Sequence, residues 1–403
     1  MINKLWVLVI TLLLMGGGNV WATVSGQCST CHTMHNSQDG SAMAVDSDGN
    51  DLGVNRSLTK GDCVGCHTGT NGTDPGDIPY IMTGSTNTYG PDYETTENNS
   101  LAGGTFDYVN DNTTATNAMG HNVLLVATAD TLTSPPGWVA TTFAPSDGGN
   151  ISPTNVAPLP VADLWGSKQL TCAGTNGCHG NHTNPDDFGD IRGAHHGDDS
   201  TIDGTTVAKS YRFLRGILGK EDPGWEYEVT SALHNQYYGV DRANVSTGST
   251  MDKQTISYLC AQCHGLFHSD ASTNNIIYSD PDSPTTVVDN ANPWMRHPTD
   301  FSLKTAGGEY ESYANVAGTA ATSPGTTAEY NYIAPLASTN VSAVLANPFS
   351  GTGNDIVTCI SCHRAHGSKY ADLLRWDYSS TGEMIAGGGY GNKGCFACHT
   401  TKD

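Results

Sequence analysis

The chain holds six places where two thiols and an imidazole are spaced for one reaction. Cys28-Ser-Thr-Cys31-His32 is the first; Cys63/Cys66/His67, Cys260/Cys263/His264, Cys359/Cys362/His363 and Cys395/Cys398/His399 repeat it. Residues three and four apart share one face of a helical turn. Two thiols so placed reach the two vinyl groups of one porphyrin, and the histidine that follows aims its imidazole at the iron. A stretched version, Cys172-Ala-Gly-Thr-Asn-Gly-Cys178-His179, puts five residues between the thiols but keeps the Cys-His end. These six hooks use all twelve cysteines. Six disulfides or three four-cysteine zinc sites would use the same thiols, but neither needs a histidine after every second cysteine. The expectation is six covalently attached c-type haems.

The remaining histidines bear on what those irons can do. Six of the 15 follow a hook, leaving His35, His121, His182, His195, His196, His234, His268, His297 and His366. An iron with histidine on both faces has no open position for a small ligand and only changes its oxidation state. His35, His182 and His366 stand three residues after a hook histidine, and His268 stands four after His264. Two histidines one turn apart lie on the same side of the backbone, so the second serves a different haem. The expected distal set is His35, His121, His182, His268, His297 and His366; His195, His196 and His234 are the less favoured candidates.

The elements that must hold these groups are short. The net charge is −22, glycine numbers 47, and charged residues make up only 14% of the chain. Such a composition buries little apolar surface by itself. Tethered porphyrins would supply the missing core. The expected fold is mostly irregular coil, with short helices at the haem sites and few short strands. One haem-cored body is expected over residues 23–403.

Residues 1–22 read as a secretory signal peptide, with Lys4, an apolar run from Leu5 to Met15, and Val20-Trp21-Ala22 before the cleavage point. The run is short for a membrane span, no later stretch is longer, and no cysteine follows the cleavage point to carry a lipid. Membrane insertion is therefore not expected. Acidity argues against nucleic acid as a partner. Asp46-Ser-Asp48-Gly-Asn50-Asp51 resembles part of a calcium loop, without its sixth-position glycine or terminal glutamate.

Islands around the hooks carry a resemblance. Cys28-Ser-Thr-Cys-His-Thr-Met-His-Asn-Ser, Gly120-His-Asn, Leu259-Cys-Ala-Gln-Cys-His, Met295-Arg-His-Pro and Cys359-Ile-Ser-Cys-His-Arg-Ala-His resemble the extracellular multihaem cytochrome filaments of the OmcS and OmcE type. The resemblance implies a head-to-tail homopolymer with an unbroken line of haems. It also implies that His35 reaches the haem of the neighbouring subunit. Other envelope cytochromes and external electron acceptors, such as metal oxides or partner cells, are the implied partners, and the location is extracellular or at the cell surface. The stretched third hook and the segment from His195 to Trp225 depart from the family pattern, so His182, His195, His196 and His234 all stay open as distal ligands there. A soluble periplasmic or surface carrier is the alternative. A multihaem reductase would need an open iron face, often marked by lysine in place of the hook histidine, and no hook here has one.

Overall fold

The computed structural model describes residues 24–71, 78–82, 101–109, 118–126, 169–241, 254–264, 299–306, 330–348, 351–376 and 394–399, apart from positions 25, 46–49, 56, 228, 231, 333 and 352. It also describes residue 313, residues 135–136, and two strand pairs at 150–155 and 276–288. The signal-peptide reading, His268, His297 and most of the calcium-like loop lie outside these residues.

The fold is mostly coil. Among the described residues strands are two or three residues long and meet in pairs, and the longest helix is Ile256–Ala261. Helices of four to six residues are far below the length that is stable alone in water. Their ends show what starts them. The Asp62 carboxylate accepts the Gly65 N–H at 2.6 Å, capping Cys63–Cys66. Thr255 Oγ1 accepts the Tyr258 N–H at 3.2 Å above Cys260. At the fifth hook the Thr358 N–H donates to Ser361 Oγ at 3.0 Å. Each cap contributes about 1 kcal/mol, enough to start a turn but not to hold one.

Among the described residues, apolar packing includes three clusters. Tyr313, Tyr330, Leu336 and Trp376 belong to one, with Cys362 and Cys398 against it. Tyr211, Ile217, Tyr237 and Ile356 belong to a second, with Cys178 and Cys260 against it. Val64, Phe106 and Val123 belong to a third, beside Cys172. Hook cysteines therefore border each of these three clusters.

The third hook departs from the expected helical turn. Its cysteines lie on two strands, Thr171–Ala173 and Gly177–His179, paired in parallel with Thr171 opposite Gly177 and Ala173 opposite His179. That register sets Cys172 beside Cys178. Adjacent strands run about 4.8 Å apart, close to the roughly 5–6 Å between side chains one helical turn apart. The longer loop thus recovers the thiol spacing of a standard hook by another route. Gly174, at φ +92°, lets the chain reverse, and Gly177 N–H donates to its carbonyl at 3.0 Å.

Candidate functional site

Each hook histidine with a defined Nδ1 partner gives that nitrogen to a backbone carbonyl. His32 donates to Ser57 O at 3.0 Å, His67 to Pro79 O at 2.8 Å and His179 to Arg212 O at 2.8 Å. His264 donates to Pro136 O at 2.7 Å and His363 to Asp372 O at 2.7 Å. A carbonyl can only accept, so the proton sits on Nδ1 and the Nε2 lone pair is left for a metal.

Four of these rings face a second histidine. His32 lies opposite His196 with ring centres 6.1 Å apart, and His67 opposite His195 at 6.5 Å. His179 lies opposite His366 at 6.4 Å, and His264 opposite His121 at 6.1 Å. A metal–nitrogen bond of about 2 Å on each side leaves imidazole centres roughly 6 Å apart. The separations therefore suit an iron between each pair, and are too wide for direct contact. His121 Nδ1 donates to Ala365 O at 2.6 Å, fixing its tautomer as well. Desolvation holds His366 down to about 3 and His195 and His264 to about 4, so all three are neutral, lone pair available, at neutral pH.

The pairing includes two residues that the sequence reading ranked low, His195 and His196. They sit on one 3-10 turn, Ala194–His196, entered through the left-handed Gly193. Neighbouring positions on such a turn point apart, so the two imidazoles meet two different hooks. Their adjacency in the sequence was the available signal.

The other favoured distal residues are placed differently. His35 is exposed, beside Met34 at 80% exposure. His182 is 1% exposed, within the fold of the third hook. Its Nδ1 donates to Gly174 O at 3.2 Å, its Nε2 has no hydrogen-bond partner, and burial lowers its pKa. No hook histidine faces it among the described residues. His234 is fully buried and stacked on Tyr330, with centres 3.4 Å apart and planes within 7°. Both its ring nitrogens face carbonyl oxygens, of Asn235 at 2.7 Å and Leu345 at 3.3 Å, so both metal-binding positions of the ring are turned to the backbone. His399 is half-buried at the sixth hook.

The hooks also neighbour one another in chain order. Cys66 feels the charge of Cys31, and Cys63 and Cys172 are within hydrogen-bonding reach. Cys178 stands near Cys263, Cys260 and Cys359 are within hydrogen-bonding reach, and Cys395 stands near Cys362. Burial pushes the thiols of Cys66 and Cys178 up to about 11 and that of Cys362 to about 12, so they stay protonated at neutral pH. The Asp187 carboxyl lies within 4.8 Å of Cys63 and Cys172 Sγ, the one such cluster among the described residues. Both thiols belong to hooks. In the calcium-like loop, Asp51 Oδ1 already accepts from Asn36 Nδ2 and the Gly53 N–H.

Comparison with known proteins adds three facts. Residues 352–403, holding the fifth and sixth hooks, match the family model of the doubled CXXCH motif. Two solved structures from Geobacter sulfurreducens are similar: the outer membrane cytochrome S filament, at 20% identity and TM-score 0.43, and the OmcS nanowire, at 20% identity and TM-score 0.44. Each match covers 89% of this chain and 85% of the other. No curated protein matches the chain.

Proposed function

We propose that this chain is a hexahaem c-type cytochrome that conducts electrons along a line of bis-histidine haems. The observation that carries the reading is the set of four histidine pairs with ring centres 6.1–6.5 Å apart. Cys28/Cys31, Cys63/Cys66, Cys172/Cys178, Cys260/Cys263, Cys359/Cys362 and Cys395/Cys398 hold the porphyrins by thioether bonds. His32, His67, His179, His264, His363 and His399 are the proximal ligands. His196, His195, His366 and His121 close the first four irons from the other face. Each haem, when bound, supplies a one-electron iron couple, and histidine on both faces keeps its potential low and its coordination closed. The chain's own work is to fix the imidazoles of His32, His67, His121, His179, His264 and His363 by their Nδ1 bonds, to exclude ligands, and to set successive hooks side by side.

The fifth and sixth irons have His182, His268, His297 and His35 as candidates. His35 is exposed, and the resemblance around Cys28–His35 implies a ligand given to a second copy. We infer a head-to-tail homopolymer in which His35 of one copy closes an iron of the next. The reading places the polymer outside the cell after removal of residues 1–22, as an electron carrier and not an enzyme. It passes electrons between other envelope cytochromes and external acceptors such as metal oxides or partner cells. Among the described residues no helix is long and apolar enough to cross a membrane. A soluble periplasmic or surface carrier with the same haems is the second reading.

Negative-stain electron microscopy of haem-positive material shed from cells tests the polymer. Uniform filaments that vanish on deletion of the gene are expected; single particles of one subunit's mass would leave the soluble carrier.

A further inference from the structure

The first, third and fifth hooks share a backbone device. At the first, His32 Nδ1 donates to Ser57 O, and the next amide, Thr33 N–H, donates to Leu58 O at 2.7 Å. At the third, His179 Nδ1 donates to Arg212 O, and Gly180 N–H to Phe213 O at 2.9 Å. At the fifth, His363 Nδ1 donates to Asp372 O, and Arg364 N–H to Leu373 O at 2.8 Å. The hydrogen-bond register is the same each time; bridges follow two residues on, antiparallel at His32–Thr59 and His363–Leu374 and parallel at Gly180–Leu214. A cation comes next in each case: Lys60, Arg215 and Arg375. The Lys60 amide donates to Cys31 O at 2.8 Å and the Arg375 amide to Cys362 O at 2.9 Å, so the device clasps the hook from both sides.

Its backbone is left-handed. Leu58, Phe213 and Leu373 have φ of +55°, +60° and +57°; Arg212 and Asp372 join them at +49° and +60°. Outside glycine this conformation is strained and uncommon. Its recurrence at one register, against three hooks far apart in sequence, calls for a common role. The second and fourth hooks do without it: their histidines donate to the carbonyls of Pro79 and Pro136, residues that cannot be left-handed.

We propose that these left-handed clips are positioning devices for the proximal histidines His32, His179 and His363. The left-handed turn aims two successive carbonyls at one hook: the first takes the Nδ1 proton and fixes the ring plane, the second pins the backbone behind it. Donation from Nδ1 raises the basicity of Nε2, which favours the ferric state of the iron it ligates. The inference rests on the haem reading above.

Asp372 offers the test, because its side chain is exposed and its carbonyl is the acceptor. Glycine adopts positive φ freely and valine does not. Asp372→Gly should match the wild type in its low-spin electron paramagnetic resonance spectrum and in a redox titration. Asp372→Val should move the signal of one haem and shift its midpoint potential positive, with the covalent haem mass unchanged. If Asp372→Val does not accumulate, Leu58→Val against Leu58→Gly reads the same effect at His32. A valine variant identical to wild type, or a glycine variant shifted as far as valine, would overturn the clip. Wild-type protein lacking covalent haem would instead sink the haem reading, separately from the clip.

Discussion

The amide of His121 donates to the carbonyl of His366 at 3.0 Å. These two residues face different hooks, His264 and His179. On the proposed reading, one backbone crossing sets the far ligand of two irons. Glycines make the crossing close: a Cβ on Gly367 would meet Thr105 O at 2.6 Å and Met119 O at 2.9 Å, and one on Gly120 would meet His366 O at 2.9 Å. Gly367→Ala is expected to disturb both the third and fourth haems together while leaving all thioethers intact. Intact mass and the low-spin resonance signals check this; loss at only one haem would show that the crossing does not couple them.

His195 and His196 stand opposite two irons by this account, and His234 opposite none. His195→Ala and His196→Ala should each open one iron, so that carbon monoxide binds roughly one sixth of the reduced haem. His234→Ala should open no iron. It should cost about 2–4 kcal/mol of stability, from a fully buried aromatic removed from its stack on Tyr330. A carbon monoxide difference spectrum and a denaturant titration separate the two kinds of histidine.

Burial raises the Asp187 carboxyl to about 6, beside Cys63 and Cys172. Below that pH it is neutral, and above it a negative charge stands next to the second and third hooks. Negative charge favours the ferric state, so a midpoint potential there should fall as pH rises through about 6. Asp187→Asn should remove that step, leaving the potential near its low-pH value. Redox titrations between pH 5 and 8 measure it.

His35→Ala should leave haem attachment and the four intrachain histidine pairs intact and prevent filament growth. Electron microscopy of purified material checks this, and normal filaments from the variant would refute the role of His35 between copies.

The hooks were legible because thioether chemistry demands sequence neighbours. So was the coil-rich fold, since a glycine-rich chain of low charge supplies few long helices. The pairing of ligands was not legible. His196 meets His32 and His366 meets His179 across long stretches of chain, and only the tertiary fold decides such partners. At His182 the local structure differs from what the spacing suggests. Its place three residues after His179 suggested a helical turn, but His179 ends a strand and His182 sits at φ +61° inside the hook's own fold. The clips were invisible for a related reason: nothing in the propensity of leucine, phenylalanine or arginine announces a left-handed backbone.

Near-infrared magnetic circular dichroism of the oxidised, assembled protein tests the central claim most directly, because its charge-transfer bands report the axial ligands of ferric haem. With total haem counted by pyridine haemochromogen, the account predicts bis-histidine intensity matching all six haems. A high-spin band, or a histidine–methionine band, from any sizeable share of the haem would contradict it.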